Sequence, residues 1–289
     1  MLGIGLRVLS GLLVAAMVVS VKAVSEKVPL GEIVFFRSFF AMIPLVFFVW
    51  IRREFPGGLA TKRPGAHFLR SGFGALALLA SFASIAPLNL AEATLIAQLT
   101  PVLTAFAAMI LLSERLIIWR VGGLALGFSG VIVLVSPELG GGSNDTARLV
   151  WYALGLASAV LSALSLVLIR SLNGTESPGA IALYFVLASM IGALLTIPWG
   201  WVAPEGQTLS LLIAAGLFGG FGHIAMTLAF RYAEASRLAP FEYVALLRPL
   251  LADLFVFNLR LSTAFLVAAP LILFGAVVAA AEGKRKGTR

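Results

Sequence analysis

The 289-residue chain has no cysteine, and charged residues make up only 12% of it. Without thiols there can be no disulfide framework, thiolate metal site or cysteine nucleophile. A water-soluble domain ordinarily carries about a quarter charged residues, so this composition argues against a globule in water. Histidine is scarce too, limited to His67 and His223. Neither has the companion ligands that a metal site requires, so no metal and no cofactor are expected. The spaced glycines with Lys-Ser or Lys-Thr that cradle nucleotide phosphates are missing, as is the HExxH of a metalloprotease, and no enzymatic activity is expected. What fills the chain instead is apolar: 60% of residues are hydrophobic, with a mean hydropathy of +1.03.

A lipid-crossing helix needs ~20 apolar residues, and the long runs between breakers number ten, at about 2–22, 31–51, 67–86, 90–112, 117–136, 149–170, 178–200, 209–230, 236–257 and 262–281. The expected fold is an all-α integral membrane protein of ten transmembrane helices. The loops left over are too short for a soluble domain. The net charge of +8 tests this topology. With the amino terminus inside, the cytoplasmic side collects Arg7, Arg52, Arg53, Lys62, Arg63, Arg70, Arg115, Arg120, Arg170, Arg231, Arg237, Lys284, Arg285, Lys286 and Arg289. The opposite side holds Lys22, Lys27, Arg148 and Arg260, an asymmetry that puts both termini in the cytoplasm of an inner-membrane protein. Because these basic residues punctuate apolar runs rather than form a patch, no nucleic-acid partner is expected. The expected partners are the lipid bilayer and a small-molecule substrate, and a single copy is expected to suffice.

A shift of 148 residues lays the first four runs on the sixth to ninth, with Gly31 on Gly179, Ile33 on Ile181, Phe36 opposite Tyr184, Ala91 on Ala239 and Pro101 on Pro249. Gly130 and Gly275 of the fifth and tenth runs align at a shift of 145. Residues 1–147 and 148–289 therefore read as two five-helix repeats. An odd number of spans inverts the second copy, an arrangement associated with secondary transporters whose site lies near the midplane.

The fourth run carries Ala91-Glu92-Ala93, then Leu99-Thr100-Pro101-Val102, and ends at Ser113-Glu114-Arg115-Leu116, while the ninth opens with Ala239-Pro240-Phe241-Glu242-Tyr243. In these stretches the chain resembles the drug/metabolite transporter superfamily, and within it the ten-helix EamA type. The resemblance implies transport of amino acids, other metabolites, drugs or sugar-linked molecules. Its ninth-helix motif is most similar to YddG-like exporters of aromatic amino acids. The family's Gly-Glu pair at the end of the ninth helix is replaced here by Leu259 or Ser262, which weakens any role for Glu114 by symmetry.

Thr94, Gln98, Pro101 and Ala105 recur at i, i+4, i+7 and i+11 and so share one helix face, with Glu242, Leu246, Pro249 and Asp253 at the repeat-equivalent positions. Each proline frees the carbonyl four residues earlier, either for water and substrate or merely as a packing bend. Ionisable groups inside a bilayer are costly and usually face a cavity or a partner. Arg37, His223, Glu242, Arg248 and Asp253 qualify. Arg248 either receives a substrate carboxylate or is neutralised by Glu242. Glu242 either meets a substrate ammonium, exchanges a proton or serves Arg248. His223, after Gly219-Gly220-Phe221-Gly222, is a packing residue or a substrate contact. Arg37 and Asp253 fall in the outer third and are expected to pair as a structural or gating contact between helices two and nine. Tyr184, Tyr243 and Phe241 are candidate aromatic walls. The expected function is export of small organic solutes, foremost neutral or aromatic amino acids, by alternating access. A carrier of drugs or of nucleotide- or lipid-linked sugars is the alternative, and a passive channel a more distant one.

Overall fold

The computed structural model describes residues 2–112, 118–139, 146–172, 175–232, 247–258 and 261–281. Among the described residues 84% are helical and none is in a strand. In lipid no water is present to satisfy backbone N–H and C=O groups, so a chain this apolar must close its hydrogen bonds within each segment. The helices are α1 (Leu2–Val24), α2 (Leu30–Ile51), α3 (Pro64–Ile85), α4 (Leu90–Ala97), α5 (Thr100–Leu112), α6 (Ile118–Leu139), α7 (Thr146–Leu172), α8 (Pro178–Leu194), α9 (Gly206–Tyr232), α10 (Leu247–Phe255) and α11 (Thr263–Ala281). Among the described residues six segments are long and apolar enough to cross a membrane, and Val121–Pro137, Pro178–Leu194 and Thr263–Gly275 are shorter apolar stretches. The protein is an all-helical integral membrane protein. Trp50, Phe55, Phe68 and Tyr232 are exposed at one end of the bundle, here the His67 end, and Trp199 and Phe255 at the other, the Asn89 end. Exposed aromatics at both ends suit the two membrane–water interfaces.

The fourth run, expected as one helix, is two. Gln98 and Leu99 tighten into a turn in which the Leu99 N–H reaches the Ile96 carbonyl at 3.0 Å, and α5 restarts at Thr100. Pro101 is the physical reason, since it lacks the N–H that would bond Ala97.

Nearly all the helix packing joins residues before position 140 to residues after it. α1 lies on α9 as α7 lies on α3; α2 lies on α9 as α8 lies on α3; α4 and α5 meet α7 as α10 meets α1; α2 meets α8 and α6 meets α11. Glycines set several of these approaches. Gly31, at the start of α2, lies against Thr196 just beyond the end of α8, and Gly179, at the start of α8, lies against Val49 near the end of α2. The two helices therefore run antiparallel. Between α6 and α11, a Cβ at Gly130 would stand 2.5 Å from Ile272, and one at Gly275 would stand 2.6 Å from the Gly123 carbonyl. Glycine lets two backbones come this close.

Candidate functional site

Two buried serines bind helix to helix: the Ser10 hydroxyl donates to the Gly222 carbonyl, and the Ser158 hydroxyl to the Ala77 carbonyl, both at 2.8 Å. They tie α1 to α9 and α7 to α3, and brace the framework around a polar layer in mid-bundle.

That layer is centred on Arg37, which α2 carries with only 2% of its surface exposed. The helix starts at Leu30, so by the rise of 1.5 Å per residue its Cα lies about 10 Å from the Asn89 end. Its guanidinium extends to Gly219 and to His223 on α9, with Nη2 3.5 Å from the imidazole Nε2. Gly219 leaves the room: a Cβ there would sit 3.3 Å from Arg37 Nε and 2.9 Å from the Met17 sulfur. Arg37 Nε and Nη1 are buried without a hydrogen-bond partner. Arg70, on α3, is 8% exposed and packs its guanidinium 4.4 Å over the Phe185 ring of α8, and its Nε and Nη1 are also buried without a partner. His223 is in electrostatic reach of both arginines.

Along α9, Leu212, Gly216, Gly219 and Gly220 are buried and face one side, as expected for neighbours at ~100° per residue. His223 and Thr227 continue that stripe, yet both are exposed. The buried stripe of α9 thus ends at Gly220, on the side toward the His67 end.

At the Asn89 end polar contacts tie the helices together. Asp253 of α10 is fully buried, and its carboxylate accepts the N–H groups of Leu90 at 3.0 Å and Ala91 at 2.7 Å, capping the first turn of α4. Asn89 and Glu92 complete that start as a capping box, and Arg148 of α7 donates to Glu92 at 3.1 Å. Free N–H groups and the positive end of the helix dipole both favour acids there. Lys22 of α1 supplies the complementary cap, donating to the carbonyls of Ile85, Ala86 and Leu88 at 2.5–2.8 Å. The Glu32 carboxylate accepts the Val202 N–H at 2.9 Å. Beside these contacts, a mainly apolar recess of about 440 Å³ is lined by Ser25, Glu26, Ile33, Phe82 and Trp151. Ile33 is one helical turn from Arg37 on the same face of α2.

At the opposite end the Glu176 carboxylate accepts the Lys62 N–H at 3.1 Å and stands 3.5 Å from His67 Nε2. Burial alone would raise its pKa, but the Lys62 N–H and the His67 and Thr61 side chains outweigh that and hold it below the usual carboxylate range. Tyr184 donates to the Leu59 carbonyl at 3.0 Å, and its ring lies 4.7 Å from that of His67.

The residues singled out in the sequence are therefore dispersed. Arg37 and His223 come together. Arg37 and Asp253 do not pair: a nearby helix start supplies donors for Asp253, and Arg37 points instead along α9 to His223. Thr94 and Gln98 are half-buried and Pro101 is exposed on the broken fourth span. Tyr184 belongs to the His67 cluster. Glu242, Tyr243 and Phe241 lie outside the described residues, and Arg248 is placed only as part of α10. Sequence reasoning counted Arg70, at the start of the third run, only as a charge of the cytoplasmic side. Its signal was positional: it lies six residues inside α3, whose start is marked by Pro64, a residue suited to the first helical turn.

The comparisons with known proteins agree with this architecture. The chain matches the EamA-like transporter family over residues 1–136. It is 30% identical to a pseudopaline exporter of Pseudomonas aeruginosa over 253 residues, 84% of each chain. It is 28% identical to an S-adenosylmethionine uptake transporter of Rickettsia felis over 89% of this chain and 84% of that one. A riboflavin transporter of Rhizobium johnstonii is 30% identical over 64% of this chain and 61% of its own. A solved crystal structure superposes over 98% of both chains with a TM-score of 0.67 at 20% identity, which shows a shared fold. These relatives are transporters rather than enzymes, and over most of the chain they align with a membrane bundle built around a buried polar layer. The chain is a small-solute transporter and belongs to the EamA-like transporter family.

Proposed function

We propose that the protein is a secondary transporter in which two inverted five-helix repeats, residues 1–147 and 148–289, alternate access to a central site for a small organic solute, with export of amino acids the first cargo to test. The observation that carries this reading is the recurrence of contacts under the sequence offset. Ser10 and Ser158 are 148 apart, and their acceptors correspond to within one helical turn. Gly31 on Thr196 is matched by Gly179 on Val49. At the offset of 145, Gly130 against Ile272 and Ala268 is matched by Gly275 against Gly127 and Gly123. The antiparallel run of α2 and α8, which are repeat equivalents, supports inversion.

The polar ties at the Asn89 end and the exposure of His223 and Thr227 support an inward-facing state, with both termini on the cytoplasmic side of the inner membrane. Asp253 then serves as a gating contact, because a shift toward the outward-facing state separates α10 from α4. Counterflow in proteoliposomes tests the function. Preloaded neutral or aromatic amino acid should accelerate uptake of its labelled form with saturation. Exchange of only cationic drugs or nucleotide-linked sugars would replace the cargo, and flux without counterflow would replace the carrier by a channel.

A further inference from the structure

Arginine cannot shed its proton inside a protein, so its charge must be met by a partner. A buried ionic group without one costs several kcal/mol even after the surroundings relax. Arg37 and Arg70 are both more than nine-tenths buried, and each holds Nε and Nη1 without a hydrogen-bond partner. Among the described residues no carboxylate reaches either of them. The side chain within hydrogen-bond distance of Arg37 is the His223 ring, which offers no negative charge. Ser38 and Ser71, each adjacent in sequence to one of the arginines, are buried with unpartnered hydroxyls as well. The acids at the two ends make other contacts: Asp253 with Leu90 and Ala91, Glu176 with Lys62, and Glu32 with Val202 through one oxygen, its other oxygen being buried without a partner.

We propose that Arg37 and His223 form an oxyanion site, to which Arg70 adds a second unpartnered positive charge, and that the transported solute carries a carboxylate or phosphate group that docks there. The proposal rests on the transporter reading above and names the substrate class it serves. The planar guanidinium presents its N–H groups as a fork matched to two oxygens of a carboxylate or phosphate. Position fits the role: Arg37 lies one turn from Ile33 in the wall of the recess, and His223, 3.5 Å from its guanidinium, is exposed. Phe185, against which Arg70 is stacked, holds that second charge in a fixed orientation. Neutral solutes would leave both forks empty, a penalty that selects for anionic or zwitterionic cargo.

Thermal unfolding of the full chain in nanodiscs tests this, with sodium succinate, sodium phosphate and neutral succinamide titrated at constant ionic strength. Succinate or phosphate should raise the midpoint with saturation, and succinamide should not; which of the two anions acts at lower concentration identifies the group. Arg37→Gln and Arg70→Gln should each weaken the effect at least tenfold, Arg37→Lys should retain part of it, and Arg52→Gln, at an exposed position, should keep it whole. Equal shifts with succinate and succinamide, or an unchanged response in a folded Arg37→Gln protein, would overturn the site. The wild-type comparison decides the matter alone if the glutamine variants fail to fold. Counterflow separates this from the broader reading: saturable exchange of an amino acid that neither responds to succinate and phosphate nor falls in Arg37→Gln removes the oxyanion site and leaves the transporter standing.

Discussion

Asp253 shows how much a single carboxylate can organise. Its two oxygens satisfy adjacent donors at the start of α4 from a helix more than 160 residues away in sequence. Hydrogen bonds to a charged group contribute about 1.5–3 kcal/mol each, so Asp253→Ala should lower the thermal midpoint clearly, whereas Asp253→Asn should retain part of the cap. If gating is its role, the alanine variant should also shift resting accessibility toward the Asn89 end. The sequence marked Asp253 as a membrane acid but pointed to the wrong partner, because backbone donors at a helix start carry no side-chain signature. The spacing of Asn89 and Glu92 betrays that start, but nothing in it names Asp253. Glu176 gives a pH prediction. Its pKa is lower in the folded protein than in the unfolded chain, so its stabilising contribution is present above the unfolded value and is lost as pH falls through the folded one. Thermal midpoints should therefore drop on acidification below the ordinary glutamate range, and Glu176→Gln should flatten that part of the profile.

Among the elements, the helix contacts depend on absent side chains. At Gly275 a methyl group would meet the Gly123 carbonyl and the Gly127 nitrogen, which are backbone and cannot swing aside. Gly275→Ala should therefore destabilise by about 1–3 kcal/mol. Gly5, in α1 with nothing within 4 Å of an added Cβ, is the control, where alanine should be neutral or stabilising. Matched losses of about 1 kcal/mol for Ser10→Ala and Ser158→Ala, read as detergent thermal midpoints, would reflect their equivalent hydrogen bonds. The pairing of Gly130 with Gly275 was legible as an offset, and so was the tendency of Pro101 to free a carbonyl. The depth at which Arg37 acts was not. Counting residues from the start of α2 locates its Cα in the outer third, but a long side chain and the space at Gly219 bring the charge to His223.

For the molecule as a whole, hydropathy alone established the class, because an apolar chain with so few charges has no other stable environment. Which end of the bundle is tied by polar contacts was illegible, since those ties join side chains to backbone groups far away in sequence. The missing cysteines now become useful: the native chain is a ready background for single-cysteine labelling. Thr227→Cys should react with a membrane-impermeant thiol reagent applied from the cytoplasmic side, while Leu90→Cys, buried behind the Asp253 clasp, should stay protected from either side. Labelling of Thr227→Cys only from outside would reverse the assigned orientation.

The interleaving of the helices bears on how the chain is made. α1, α2 and α3 find their main packing partners in α7, α8 and α9, so none of these contacts can form until the later helices have been synthesised. At about 5–20 residues per second, the ribosome needs on the order of ten to forty seconds for the remaining chain. Through that interval the early helices must wait in the bilayer with their glycine faces open to lipid or to an insertion chaperone. Neither half should therefore accumulate as a stable fragment when expressed alone, whereas the two made together in one cell should rescue each other.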